Sequence, residues 1–135
     1  MTTATNPRID HIGIAVRSIE DALPFYRKSF GLEPVHREEV ASQNVRVAFL
    51  QAGETAIELV EPTSSKGAVA RFLNARGPGL HHLAFRVNGI HQEMNRLKKE
   101  GLPPLEEDPR VGARGHLICF LHPRLASGVL IELVG

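Results

Sequence analysis

Hydrophobic and polar residues alternate along the first part of the chain in a short, ordered series. Residues 9–16 alternate with a period of two, which is typical of a β-strand. Residues 19–30 carry apolar side chains at a helical period, between Ser18 as the predicted N-cap and Gly31 as the stop. Pro24 is predicted to weaken or kink this helix. Three strands are then predicted at residues 32–40, 45–51 and 55–60, with a hairpin turn at 52–54.

A second series repeats this order after a break in the pattern. Residues 61–79 open and close with loop-like sequence and contain a short helical stretch, which predicts a linker. Residues 80–87 then predict a strand, and residues 90–100 a helix with Asn88 as a possible N-cap. Further strands are predicted near residues 102–106, 116–121 and 129–134.

The two series together predict an α+β fold built from two βαβββ repeats. The repeats span residues 8–62 and 79–135, with residues 63–78 between them. We expect an eight-stranded, cup-shaped sheet with the helices on the outside. A chain of 135 residues fits one domain, so residues 1–135 are taken as a single unit.

Composition and charge narrow the class of protein. A content of 42% hydrophobic and 23% charged residues is ordinary for a soluble globular protein. The net charge of +1 gives no reason to expect binding to nucleic acid or membrane. Cys119 is the single cysteine, so we expect no internal disulfide, a buried thiol and a reducing compartment. Residues 1–7 lack the apolar core of a signal peptide, which predicts a cytoplasmic protein with a frayed N-terminus.

Histidine and glutamate recur at matched places in the two series. His11 and His82 lie 71 positions apart (82 − 11), and Glu58 and Glu132 lie 74 apart (132 − 58). Taken singly, each is more often a structural histidine or a solvated glutamate. Both glutamates, however, are flanked by Ile, Leu and Val, where an ionised carboxylate is costly unless a cation meets it. The matched placement therefore predicts one divalent metal ion shared by the four residues.

The donor set limits the kind of ion. Nitrogen and oxygen ligands without sulfur disfavour a closed structural zinc site, and they suit Co²⁺, Mn²⁺, Ni²⁺, iron or Zn²⁺ with open positions. Four protein ligands on an octahedral ion leave two positions for substrate oxygens. His81 neighbours His82 and is predicted to point to the opposite face of the strand.

Several stretches of the chain resemble the vicinal oxygen chelate superfamily and, within it, the methylmalonyl-CoA epimerases. The resemblance implies a metal-assisted proton transfer that inverts a carbon between a thioester and a carboxylate, with an acyl-CoA as substrate. It also makes Co²⁺ the first choice of ion. The stretches that carry it are residues 9–16, 57–62, 79–82, 108–115, 120–123 and 128–133.

The resemblance also assigns roles to residues of the site. His11, Glu58, His82 and Glu132 take the places of the metal ligands. Some of these epimerases carry a separate glutamate base at the position of Val47 and a glutamine at that of Glu58. We therefore hypothesise that Glu58 and Glu132 are the two catalytic acid/base groups.

A cationic, glycine-rich loop precedes the seventh predicted strand. It is predicted to be flexible and to bind the carboxylate or the phosphates of the substrate. A plain hairpin loop with two solvated arginines explains the same pattern equally well. The residues assigned to substrate binding are Arg110, Gly112, Arg114 and Gly115.

Other activities share this resemblance. A lactoylglutathione lyase would use the same four ligands on a glutathione hemithioacetal. A metal-free binding protein of the bleomycin-resistance type would keep the fold, but the presence of all four ligand-type residues disfavours it. An extradiol dioxygenase normally has fewer ligands. We expect a homodimer, because members of the superfamily usually associate and the sheet has edges to cover.

Overall fold

The protein has an α+β fold, as predicted. A computed structural model describes residues 6–135, so residues 1–5, and with them most of the expected frayed N-terminus, lie outside the described residues. The described strands form an eight-stranded sheet in the order β2-β3-β4-β1-β5-β8-β7-β6. The strands are β1 (Arg8–Ala15), β2 (Pro34–Val40), β3 (Val45–Ala52), β4 (Thr55–Pro62), β5 (Gly79–Arg86), β6 (Arg110–Val111), β7 (Leu117–Leu121) and β8 (Ile131–Val134), and the helices are α1 (Ile19–Phe30), α2 (Ala68–Arg76) and α3 (Ile90–Lys99).

Spatial contacts divide the chain into two compact units. The N-terminal unit is His11–His81, and the C-terminal unit joins the residues up to Asp10 with His82–Gly135. In the N-terminal unit β3 and β4 form an antiparallel hairpin, and β1 runs parallel to β4. Gly53 makes the predicted turn with a φ of 66°, a conformation that favours glycine.

Helix α1 forms between the caps that the sequence predicts. The Ser18 side chain accepts a hydrogen bond from the Asp21 N–H at 3.2 Å. Gly31 ends the helix with a φ of 65°, and its N–H donates to the Arg27 carbonyl. The helix continues through Pro24 and buries Ile19 and Leu23 against the sheet.

The C-terminal unit has the same plan. Strand β5 runs parallel to β8, and β7 pairs antiparallel with both β8 and β6. Helix α3 packs its predicted stripe against a core that includes Cys119, whose side chain is fully buried. Burial raises the pKa of this thiol to about 12, so it is a packing residue, as expected. The stripe consists of Ile90, Met94 and Leu97.

The strand predicted at residues 102–106 is wrong. The sixth strand is instead the two-residue β6. Pro103 and Pro104 have no N–H to donate, so this segment cannot form a regular ladder. It still lies beside β7, because the Leu105 N–H donates to the Phe120 carbonyl at 2.8 Å.

The predicted cap of α3 is also wrong. The N-cap is Gly89, with a φ of 72°, so the N-cap residue has no side chain that could accept a hydrogen bond from the helix. A left-handed φ at this position favours glycine over an N-cap side chain such as that of Asn88. No helix in the described part of the chain is long and apolar enough to cross a membrane.

Candidate metal centre

His11 and Glu58 form a buried pair in the N-terminal unit. The register of β1 and β4 places Glu58 opposite Gly13, two residues beyond His11 on the same face. His11 Nε2 lies 3.4 Å from a Glu58 carboxylate oxygen, and the two residues are 4% and 6% exposed. Phe49 lies opposite Glu58 on β3, with its ring centroid 5.6 Å from that of His11. The pair is thus enclosed by apolar surface.

His82 and Glu132 form the matching pair in the C-terminal unit. Their Nε2 and carboxylate oxygen lie 3.0 Å apart, and both residues are buried. Glu132 lies opposite Ala84 of β5, two residues beyond His82. Phe120 lies opposite Glu132 on β7, with its ring centroid 6.3 Å from that of His82. The predicted repeat of the histidine and the glutamate therefore extends to their surroundings.

One ligand-type atom from each of His11, Glu58, His82 and Glu132 lies within 4.8 Å of all the others. Around an octahedral ion with bonds of about 2.1 Å, neighbouring ligand atoms lie about 3 Å apart and opposite ones about 4.2 Å apart. The separations of 3.4 and 3.0 Å within the pairs match neighbouring ligands. Two carboxylates also balance the charge of a divalent ion. A group of these donor types could therefore hold a divalent metal ion.

His81 lies on the other face of β5, as predicted. Its ring contacts Phe72 of α2, with the two centroids 5.0 Å apart. Period-two alternation therefore separates the adjacent histidines 81 and 82 into a packing residue and a member of the metal group.

The predicted substrate loop is a short strand followed by a 3-10 turn at Ala113–Gly115. The Arg110 guanidinium carbon lies 5.6 Å from the Phe120 ring centroid, and its Nε lies 3.5 Å from a Glu106 oxygen. A Cβ on Gly112 would come within 2.8 Å of Ile118 Cδ1, so close packing requires this glycine. Gly115 has a φ of 72°, which favours glycine at the end of the turn.

Sequence reasoning missed a polar cluster in the C-terminal unit. Arg86 Nε donates to Asp10 at 2.9 Å, and Arg86 Nη2 lies 3.4 Å from His116 Nε2. Arg114 Nη2 lies 3.5 Å from the other Asp10 oxygen. Burial, followed by the positive charges of Arg86 and Arg114, lowers the pKa of His116. The sequence does contain a signal for Arg86: this residue follows His82 and Ala84 at a period of two, which places all three on one face of the strand.

Comparison with known proteins places these features in a family. Residues 10–120 match the model of the Glyoxalase/Bleomycin resistance protein/Dioxygenase superfamily. The chain is 45% identical over 126 residues to the uncharacterised protein YqjC of Bacillus subtilis, covering 93% of this chain and 90% of that protein. It is 34% identical over 127 residues to the mitochondrial methylmalonyl-CoA epimerase of Homo sapiens, covering 93% and 72%.

The structure is similar to solved epimerases. A variant of the Streptomyces coelicolor methylmalonyl-CoA epimerase, in complex with 2-nitronate-propionyl-CoA, matches with a TM-score of 0.91 and 38% identity. The match covers 98% of this chain and 94% of that one. The resemblance noted in the sequence is confirmed: this chain belongs to the Glyoxalase/Bleomycin resistance protein/Dioxygenase superfamily, and its homologues there include methylmalonyl-CoA epimerases.

Proposed function

We propose that this protein is a metal-dependent epimerase that interconverts the (2R) and (2S) forms of methylmalonyl-CoA. The observation that carries the proposal is the group of His11, Glu58, His82 and Glu132, in a chain homologous to named epimerases. Homology supports the reaction class, and the four-residue group supports the chemistry. The closer relative YqjC is uncharacterised, so the substrate itself is part of the proposal.

Glu58 and Glu132 are the proposed proton-transfer groups. One carboxylate removes the proton from C2, and the electron pair of the broken C–H bond moves towards the thioester oxygen. The other glutamate, initially protonated, gives its proton to the opposite face of the same carbon, which inverts the centre. A divalent ion held by the four residues would supply electrostatic stabilisation of the enolate oxygens.

Aromatic side chains support this role. Phe49 and Phe120 each lie opposite one of the two glutamates in the strand register. Both rings also contact the histidine of the same pair. Apolar walls exclude water from the carboxylates and strengthen the electrostatic interactions on which proton transfer depends.

Residues near β6 are proposed to bind the rest of the substrate. The Arg110 guanidinium lies over the Phe120 ring, whose centroid is 6.3 Å from that of the His82 ring. Arg114, Gly112 and Gly115 follow in the adjoining turn. A guanidinium can bind the carboxylate or a phosphate of an acyl-CoA with paired hydrogen bonds.

The ion and the assembly complete the proposal. We propose Co²⁺ as the native ion, with Mn²⁺, Ni²⁺ and Zn²⁺ as alternatives that suit the same nitrogen and oxygen ligands. We also propose a cytoplasmic homodimer, in which a partner covers exposed strand edges. Sedimentation at micromolar concentration tests the dimer, and a monomer there contradicts it.

Isotope exchange in deuterated water tests the activity. Metal-loaded protein should incorporate deuterium at C2 of (2R)-methylmalonyl-CoA, form the (2S) epimer and leave the thioester intact, as followed by NMR. The hemithioacetal of methylglyoxal and glutathione should not react. Turnover of the hemithioacetal with no exchange at C2 of methylmalonyl-CoA would establish a lactoylglutathione lyase instead.

Glu58→Gln tests the base assignment separately. Glutamine keeps an oxygen ligand but cannot accept the proton, so inversion should slow by about 100-fold or more while the ion stays bound. Glu54→Gln, in the exposed β3–β4 turn, is the matched control and should retain the parent rate. Equal rates in Glu58→Gln and the parent would make Glu58 a ligand only.

A further inference from the structure

We propose that Arg86 is a substrate-specificity residue, which binds the free carboxylate of the substrate and so selects 2-carboxyacyl thioesters over neutral ones. This inference rests on the proposed function for its substrate. Arg86 lies outside the four-residue group. Its proposed role is to recognise the negative charge that distinguishes a malonyl thioester from other acyl-CoAs.

The strand register places Arg86 close to the metal group of the C-terminal unit. Ala84 lies opposite Glu132, and Arg86 lies opposite Val134, on the same face of β5 and β8. With about 3.3 Å per residue along a strand and about 4.8 Å between strands, the Cα atoms of Arg86 and Glu132 lie about 8 Å apart. A long side chain at residue 86 can therefore approach a ligand held at Glu132.

An apolar floor lies between the charged groups. The next row across the sheet runs from Arg86 through Val134 and Ile118 to Arg110. Val134 and Ile118 form a buried cluster with Ala84, and Phe120 packs against it. Ala84, Val134 and Ile118 are at most 2% exposed, so this row is a packed support beneath the charged groups. Arg86 stands at one end of the row and Arg110 at the other.

Asp10 and His116 hold the Arg86 guanidinium in place. Their hydrogen bonds use Nε and Nη2 of the guanidinium, at 2.9 and 3.4 Å. The third nitrogen, Nη1, can donate to a ligand, and the Arg86 side chain keeps 25% of its surface exposed. An arginine oriented in this way loses little conformational entropy when it binds a carboxylate.

His116 adds no positive charge to the cluster at neutral pH. Burial and the two neighbouring arginines keep its pKa below the ordinary value, so its Nε2 accepts the hydrogen bond from Arg86. Asp10, 10% exposed, is the carboxylate shared by Arg86 and Arg114. Asp10 thus fixes the Arg86 guanidinium from the Nε side.

Backbone strain at Arg114 supports a functional cluster. Arg114 has a φ of 59°, in the region that side chains other than glycine rarely adopt. The guanidinium of the same residue lies 3.5 Å from Asp10. Residues held in such conformations cluster at binding and catalytic sites, where surrounding contacts maintain them.

A pair of substrates separates charge recognition from catalysis. Methylmalonyl-CoA and 2-methylacetoacetyl-CoA both carry an acidic C2 proton between two carbonyl carbons, but the second has a ketone where the first has a carboxylate. Arg86→Met should lower kcat/KM for deuterium exchange into methylmalonyl-CoA by about 10- to 100-fold, the usual effect of losing a charged hydrogen bond, and mainly through KM. Exchange into 2-methylacetoacetyl-CoA should be unchanged, and Arg86→Lys should restore part of the loss.

The matched control is Arg124→Met, which removes an exposed arginine of the same unit and should affect neither substrate. Equal losses on both substrates in Arg86→Met would make Arg86 a structural residue, and no loss on either would exclude any role in binding. Both results overturn the inference.

Binding of malonate distinguishes this inference from the proposed function. Calorimetry on the metal-loaded protein should show malonate binding that weakens about 10-fold or more in Arg86→Met and stays constant in Arg124→Met. If the wild type has no epimerase activity but shows this pattern, the carboxylate site stands and the epimerase assignment fails. Absent or equal malonate binding overturns the carboxylate site, whatever the activity.

Discussion

Each histidine–glutamate pair places a carboxylate in surroundings that disfavour an isolated charge. The pairs are nearly inaccessible to water and are flanked by Phe49 and Phe120. Removing one partner from such a pair leaves the other buried without its charge balance, at a cost of about 3–5 kcal/mol. A cation that contacts both carboxylates solves this problem at both pairs together. Under the proposed function, these four residues link activity to stability.

His116 gives the protein a pH-dependent stability. Its pKa is lowered in the folded chain from the ordinary value of 6.5, so below that value the unfolded chain binds more protons. Stability from this residue is thus fully present above about pH 6.5 and is lost as the pH falls through the folded pKa. His116→Asn should flatten the pH dependence of the unfolding free energy between pH 7 and 5, as measured by urea denaturation. Parallel profiles for the two proteins would contradict this assignment.

At the scale of single elements, Glu61 joins helix α1 to the sheet. One carboxylate oxygen accepts a hydrogen bond from the Ile19 N–H, in the first turn of α1, at 2.7 Å, and the other accepts from Arg46 at 2.6 Å. Glu61→Ala should lower the unfolding free energy by about 1–3 kcal/mol, since it leaves a helix N–H and a guanidinium without this partner. Glu54→Ala in the exposed turn should change it by no more than about 0.5 kcal/mol. Equal effects of the two variants in urea denaturation would contradict this role.

Gly112 is required by packing, although the sequence suggested flexibility. Its φ of −107° is open to any residue, but an added Cβ would lie 2.8 Å from Ile118 Cδ1. Gly112→Ala should therefore cost about 1–3 kcal/mol in the unfolding free energy through overpacking. Ile118→Val removes Cδ1, the nearest of three Ile118 atoms that the added Cβ would meet, and should restore part of the loss in the double variant. An additive loss in that variant would exclude the contact as the cause.

Local sequence patterns predicted most elements, and the errors have local causes. The hairpin at Gly53 and the caps Ser18 and Gly31 follow from turn and cap chemistry, which depends on neighbouring residues alone. The prediction of a strand at residues 102–106 was wrong because it gave more weight to the apolar residues of this segment than to its two prolines. The period of two places Arg86 on the same face of its strand as His82, but no local pattern predicts its hydrogen bond with Asp10, 76 positions away in the sequence.

At the scale of the whole molecule, the two repeats each contribute half of the four-residue group. The same order of elements, βαβββ, gives each unit a histidine on its first strand and a glutamate on its last. The sequence predicted the four residues from this repeat, but it could not supply the distances between them, which depend on strand register. The aromatic neighbours Phe49 and Phe120 also follow the repeat and were not recognised. Duplication thus explains why each unit has an equivalent histidine–glutamate pair.

Metal stoichiometry tests the central claim, that the two pairs share one divalent ion, most directly. Elemental analysis after dialysis against Co²⁺ should give one ion per chain in the wild type. His11→Ala and His82→Ala should each lose the ion while the circular dichroism spectrum stays native. His81→Ala, which changes the adjacent histidine on the other face of the strand, should keep it. Two ions per chain, or full retention of one ion in His11→Ala or His82→Ala, would contradict the shared site.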